Sequence, residues 1–561
     1  MCYYYHEFFA VGCAMDYRFN IQYETEKQSK YTTDTDNEDF TLELREEDGV
    51  LHLMLNPKRA VSFTTFQMYF PQQYDSTDKL FTNGYQSWTV TKEYSPDDKM
   101  DEFNPRILGM QKKNFNVIGI FGSGDLLFHR YPEENGVFYG YSYAYIRKGG
   151  RITLFASLTE RVGYTIITFD TNEKIVSFEK DLEGVTFTEP VELLTLAVIN
   201  DEYESAFDKY FELMNIPEPR VKRASGYTTW YNYYTKVTED IVYRDLEAIS
   251  KLEHKIDFFQ VDDGYERAVG DWLLYDKKKF PNGMKRPVDM IHKNGMQAGI
   301  WLAPFAVTPK SYIYKEHKDW IVCNDRGRRR ITSHNWGGFY TLDIYNEEVR
   351  EYLRKVFDTV FNEWGYDMVK LDFLYSCCLI PIHGKSRGEI MCDAMDFLRE
   401  CCGDKLILGC GVPLAPAFGK VDYCRIGADM GLCWENKAYA REDISTQHTL
   451  TNTMFRRHLD GRAWLNDPDV FLLRDGNIQM PLEKREIIAK INSLFGNLLF
   501  VSDDVSTYTE RQMQIFLETV ERSKAVIKSV DMDKSKNVLI KYTLDGRDEE
   551  YGFNIKSGNL V

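Results

Sequence analysis

"DMVKLDFLYS", residues 367–376, sets a Lys and an Asp at the end of an otherwise apolar run. Met368, Val369 and Leu371 read as a buried strand, which Phe373 and Leu374 prolong. Lys370 and Asp372 stand two apart, so on a strand they project to the same side. Buried charges are costly unless they are paired or used. The pair therefore marks a place where the chain needs them.

The pattern recurs along the chain. Short apolar runs occur at "GYTTW" (226–230), "IDFFQVDD" (256–263), "QAGIWLAP" (297–304), "DMVKLDF" (367–373), "KLILGCG" (405–411), "YCRIGAD" (423–429), "RAWLNDPD" (462–469) and "LLFVSDD" (498–504). Helix-like stretches such as "TEDIVYRDLEAISKLEH" and "NEEVREYLRKVFDTVFNEWG" lie between them. Eight such β/α units predict a (β/α)8 TIM barrel. Carboxylates follow the runs: Asp262 and Asp263, Asp372, Asp429, Asp467 and Asp469, Asp503 and Asp504. Active sites of this fold form at that end of the strands.

Upstream, residues 17–200 carry short β-branched and aromatic runs, among them "GVLHLMLNP", "RITLFASLTE" and "VGYTIITFDT". Turn signals such as Asn83-Gly84 and Gly149-Gly150 separate them, and together they predict a β-sandwich. "VINDEYESAFDKYFELMNIPEP" reads as a linker helix stopped by two prolines. After residue 507, a helix over "ERQMQIFLETVERSKAV" precedes a short β region. The expected architecture is multidomain: an N-terminal β-sandwich with linker helix (1–215), a central barrel (216–506) and a short C-terminal helix and β region (507–561).

Composition narrows the function. The net charge of −17 lacks the clustered Lys and Arg that a nucleic-acid partner calls for. The one basic run, Arg326–Arg330, reads as a solvated loop. Eleven Cys without zinc-type spacing point to neither a disulfide framework nor a structural metal. The N-terminal "MCYYYHEFFAVGCAM" lacks a basic leader region, and no run reaches membrane-spanning length. The expectation is a cytoplasmic protein with no membrane partner. Aromatic residues make up 14% of the chain, which fits either large mixed cores or rings that stack on sugars.

Two carboxylates without a His cluster fit glycoside hydrolysis, in which one attacks or activates water and the other protonates the leaving oxygen. Asp372 and Asp429 are the candidates, each ending a different apolar strand; the bland alternative is that either caps a helix or pairs with a neighbour. Lys370 is placed to favour the ionised form of Asp372. Asp262 and Asp263 suit sugar hydroxyls or, equally, Mg²⁺. Cys410 and Arg425 read by default as a small core residue and an ion-pair partner. No His spacing, Cys377–His partnership or phosphate-binding loop is evident, so no cofactor is expected.

Taken together, these strand ends resemble the α-galactosidases of glycoside hydrolase family 36, especially the short bacterial type. The matching segments are "WYNYY" (230–234), "QVDDGYERAVGDW" (260–272), "GIWLAPF" (299–305), "KLDFLY" (370–375), "LGCGVPL" (408–414), "RIGADM" (425–430) and "WLNDPD" (464–469), in family order. "NGYQSW" (83–88) is similar to the loop that the family's β-sandwich leans over the active site. The resemblance implies Asp372 as nucleophile and Asp429 as acid/base, and Asp262 and Asp263 on the galactose 4- and 6-hydroxyls. It implies Trp301, Lys370, Cys410, Arg425 and Trp88 along the sugar pocket. It further implies retention of configuration, with the two carboxyls about 5–5.5 Å apart, and an Asp429 environment that raises its pKa. Asn232 and Ala428 depart from the His and Pro that the family pattern leads one to expect.

The implied substrate is an α-galactoside oligosaccharide, and the resemblance allows a homo-oligomer. The rival readings are an α-N-acetylgalactosaminidase of the same mechanism, a transglycosylase, a sugar-binding protein without catalysis, and a Mg²⁺ enzyme built on Asp262 and Asp263. The "GCG" turn (409–411) resembles the galactose type.

Overall fold

The computed structural model describes residues 16–26, 28–101, 123–324, 326–435 and 440–561. Residues 1–15, on which the reading of the N-terminus rests, lie outside them, as do Cys2 and Cys13. Among the described residues no helix is long and apolar enough to cross a membrane, and all nine described cysteines are free thiols.

The eight apolar runs form one parallel sheet: β1 (Ala224–Thr228), β2 (Phe258–Val261), β3 (Gln297–Leu302), β4 (Met368–Leu371), β5 (Leu406–Gly409), β6 (Tyr423–Arg425), β7 (Leu465–Asp467) and β8 (Leu498–Val501). Each strand pairs with the next from β1 to β7, and β8 returns beside β1. A single parallel bridge, Phe471 to Val501, lies near the remaining seam, so the barrel is nearly closed. Strands covered on both faces need continuous apolar runs, and β2, β4 and β8 are buried throughout.

The outer helices follow capping and periodicity. Asn346 accepts from the Glu348 N–H at the start of helix Glu347–Asp358, whose buried Val349, Leu353, Val356 and Phe357 fall on one face. A wider turn, Thr359–Trp364, continues it, and Gly365 ends it at φ 89°, a left-handed conformation that suits glycine. This stop delivers the chain into β4.

The N-terminal part packs a six-stranded antiparallel sheet against a seven-stranded one. Phe63, Phe66, Phe70, Phe155 and Phe178 are buried in its core, in tilted and edge-to-face pairs. Each fully buried Phe contributes about 1.5–3 kcal/mol, so much of the aromatic content serves burial.

Two expected boundaries move. "VINDE", read as the start of the linker helix, ends the twelve-residue strand Val191–Glu202, and the helix covers only Tyr203–Leu213. That strand is laddered on both sides, to Arg151–Ser157 and Val50–Pro57, which overrides the local pattern. At the other end, the helix runs only over Glu510–Val520, and Val526 opens the first of four antiparallel strands.

Candidate active site

The end of β4 forms the floor of the site. Asp372 is buried; its Oδ1 accepts from the Phe373 N–H at 2.8 Å and its Oδ2 from the Trp301 indole at 3.0 Å. Phe373 holds φ 55° and ψ 30°, an uncommon conformation for a bulky residue that is characteristic of functional sites. The Lys370 ammonium lies 3.0 Å from Asp262 and 4.0 Å from Asp372. Burial pushes the Asp372 carboxyl above its ordinary value, while Lys370 and Trp301 pull it down. Lys370 therefore does not fully offset burial, contrary to the simplest reading of the K-x-D motif.

At the end of β2 the two acids play different parts. Asp262 Oδ2 takes Lys370, the Gln260 amide at 2.9 Å and Thr228 at 3.3 Å. Asp263 Oδ2 accepts from the Trp336 indole at 2.8 Å, while its buried Oδ1 has no hydrogen-bond partner. Burial and the nearby Glu266 carboxylate raise the Asp263 pKa strongly. Asp262 Oδ2 is thus fully engaged by protein donors, whereas Asp263 Oδ1 is met by none and its carboxyl lies against that of Glu266.

Trp336 is a residue the sequence did not single out. It sits at φ 55° in the loop after β3, with its ring 4.7 Å from Phe373 and 5.9 Å from Trp301. The Trp336 and Trp301 indoles, in edge contact, link Asp263 to Asp372.

On the opposite side, the loop after β6 carries Asp429, whose Oδ1 accepts from Arg425 at 2.8 Å. Arg425 also meets Asp469 at 2.6 Å and Asp467 at 3.4 Å. Asp469 in turn accepts from the Tyr231 hydroxyl and from the Met430 N–H. Two acids expected at the active face therefore hold Arg425. Asp503 likewise pairs with Arg474, and Asp504 caps a short helix.

The sandwich closes the site from above through "NGYQSW". Arg456, fully buried at the end of helix Thr446–Phe455, donates to the carbonyls of Gln86 and Ser87, to the Asn83 side chain and to the Thr91 hydroxyl. Ser87 N–H bonds the Val412 carbonyl. Trp88 then rests on the "GCG" turn: a Cβ on Gly411 (φ 55°) would stand 2.9 Å from the indole. Glycine is required there for both space and conformation.

Trp88, Asp262, Asp263, Trp301, Lys370, Asp372 and Asp429 line one cavity of about 350 Å³, within the usual size of small-molecule sites. Cys410 and Arg425 stand behind this layer, Cys410 accepting from the Trp88 indole at 3.4 Å. Neither Asn232 nor Ala428 lines the cavity. Trp230, His334, Asn335, Trp336, Phe373, Glu442, Asp443 and Ile444 also line it. Trp230 and Phe373 lay in quoted motifs, and the others gave no periodic or spacing signal. Among the described residues no group of three or more His, Cys, Asp or Glu is arranged to hold a metal ion.

Residues 227–384 match the family model described as melibiase. Alpha-galactosidase Mel36A from Lactobacillus acidophilus is 30% identical over 150 residues, which is 26% of this chain and 20% of that protein. The chain thus matches about a fifth of that curated relative's length. The Thermus thermophilus alpha-galactosidase TtGalA, solved with p-nitrophenyl α-D-galactopyranoside, superposes with TM-score 0.70 at 24% identity, covering 90% of this chain and 95% of that one. Its stachyose complex gives TM-score 0.67 at 25% identity, covering 85% and 95%. The GH36 alpha-galactosidase AgaA from Geobacillus stearothermophilus shares the fold, with TM-score 0.58 at 12% identity over 93% of this chain and 80% of that one. The melibiase match spans the strands that carry Asp262, Asp263, Trp301, Lys370 and Asp372, within a fold shared with these alpha-galactosidase structures.

Proposed function

We propose that the protein is a retaining exo-α-galactosidase that removes terminal non-reducing α-D-galactosyl residues from oligosaccharides of the raffinose type. The observation that carries this reading is the placing of Asp372 and Asp429, from different strands, on one cavity that also holds Asp263 with a buried, unpartnered oxygen. The Thermus neighbour's complexes with a nitrophenyl galactoside and stachyose support the substrate class.

In the first step an Asp372 oxygen attacks the anomeric carbon, while Asp429 gives its proton to the leaving oxygen. Arg425 engages Asp429 Oδ1, so the proton is carried on the other oxygen. Trp301 and the Phe373 N–H hold the attacking carboxylate in place, which lowers the cost of orientation. Asp429 then takes a proton from water, whose oxygen displaces Asp372 from the galactosyl ester. Asp263 receives a ring hydroxyl, with Trp336 fixing its second oxygen.

The test is release of p-nitrophenol from the α-galactoside and from its N-acetylgalactosaminide counterpart in EDTA, with Asp372→Gly alongside. Wild-type release from the galactoside alone, lost in the variant, is the expected result. Preference for the acetamido sugar would overturn the sugar assignment. Equal release by the variant would overturn the nucleophile.

A further inference from the structure

The cavity wall has a carboxyl that the double displacement does not use. Glu442 lies thirteen residues beyond Asp429 on the same loop, lines the same cavity, and is 6% exposed. Its Oε1 accepts from the Thr89 hydroxyl at 2.8 Å, and its buried Oε2 has no hydrogen-bond partner. The seat is shaped for it: a Cβ on Gly124 would stand 2.6 Å from the carboxylate carbon and both oxygens. Any side chain at residue 124 would therefore displace the carboxyl. Thr89 follows Trp88 on the sandwich loop, so two segments from the N-terminal part build a pocket for one barrel carboxyl.

A buried acceptor without a partner is costly and calls for one. Ligand hydroxyls are the partners that reach a site cavity. The acid/base must touch the glycosidic oxygen, so the loop bearing Asp429 borders the leaving group rather than the galactose ring. Glu442 stands thirteen residues along that loop and lines the same cavity as Asp429, which assigns it to the leaving-group end. Ile444 and Trp230 give that side apolar surface, against which a sugar ring can lie.

We propose that Glu442 anchors a leaving-group subsite, where its carboxyl hydrogen-bonds a hydroxyl of the sugar attached to galactose. This rests on the α-galactosidase reading above and names the second half of its substrate. The subsite selects polyhydroxylated leaving groups over aryl ones, since a site built to bond a hydroxyl discriminates against partners lacking it. A carboxylate there also disfavours anionic leaving groups.

The experiment compares kcat/KM for raffinose and for p-nitrophenyl α-galactoside in wild type, Glu442→Gln and Glu442→Ala. The ratio of raffinose to nitrophenyl values should fall at least about tenfold in Glu442→Ala and by less in Glu442→Gln, which keeps one hydrogen-bonding oxygen. A ratio within about twofold of wild type, or equal losses on both substrates, would overturn the subsite and leave Glu442 as a structural brace. If Glu442→Ala fails to fold, the near-isosteric Gln variant carries the same ratio test. Wild type inactive on both substrates would instead sink the galactosidase reading, a different outcome from an active enzyme with an unmoved ratio.

Discussion

Under the proposed mechanism Asp372 attacks as a carboxylate, and replacing Lys370 by Met tests how that carboxylate is kept ionised. The ammonium lies 4.0 Å from Asp372 and 3.0 Å from Asp262, and its side chain is 7% exposed. At 4 Å and an effective dielectric of about 20, the attraction to Asp372 is about 4 kcal/mol. Losing that attraction raises the Asp372 titration, because the charged form alone is stabilised by the ammonium. Water entering the space left by the ammonium reduces the effect without reversing its sign. Lys370 favours the charged form, so its removal favours the protonated, non-attacking form at every acid pH. The acid limb of kcat/KM, which reports the free enzyme, must therefore move upward. Measuring kcat/KM on the nitrophenyl galactoside from acid to alkaline pH, with circular dichroism at each point, reads this directly. The variant also leaves two buried carboxylates without their cation, at a cost of about 3–5 kcal/mol in stability. An acid limb that coincides with wild type in a folded variant would refute the reasoning.

Trp336→Phe keeps an aromatic ring beside Phe373 but removes the indole donor to Asp263. KM for the galactoside should rise about tenfold with a smaller change in kcat, as steady-state kinetics will show. Arg456→Met strips the donors from four acceptors on the sandwich loop at once. Each orphaned buried acceptor costs about 1–3 kcal/mol, so a marked fall in Tm is expected in thermal unfolding, with lowered activity as Trp88 loses its support. Glu442 is pushed up from 4.5 to about 7 by burial and by nearby Asp125. A raised folded value means this group's stability is fully present below pH 4.5 and is lost as pH rises through about 7. Glu442→Gln should remove that slope, so its stability relative to wild type should improve by about 3 kcal/mol between pH 4.5 and pH 7 and above; Tm curves at pH 5 and 8 that stay parallel would contradict this.

The barrel was legible because a parallel strand covered on both faces leaves a plain trace: four or so apolar residues and then a polar end. Asp262, Asp372 and Asp429 could be found that way, each just past its strand. Trp336 and Glu442 could not. Trp336 meets Asp263 across 73 residues and Glu442 meets Thr89 across 353, and both sit on irregular loops without period. The glycine pair at 337–338 was the only local hint of a special turn at Trp336. The error at "VINDE" has the opposite cause. A short apolar run flanked by acids suits strand or helix equally, and the decision lay in the two neighbouring strands. Asp467 and Asp469 show the limit of strand-end reasoning, since their position is right for the active face but their oxygens go to Arg425.

Lys370 stands between Asp262 and Asp372, and Arg425 meets Asp429, Asp467 and Asp469. Acids thus outnumber cations in each cluster. An oxocarbenium-like transition state is positively charged, and fixed negative groups in a dry cavity stabilise it far more than they would in water. The same excess is hard to bear in the free protein, and burial raises Asp372, Asp469 and Glu442. The sandwich loop is then more than a lid. By packing Trp88 on Gly411 and bonding Glu442 through Thr89, it covers part of the cavity wall beside these charges. Loosening that loop should therefore cost catalysis more than it costs the binding of galactose, because screening acts most on the charge that develops in the transition state.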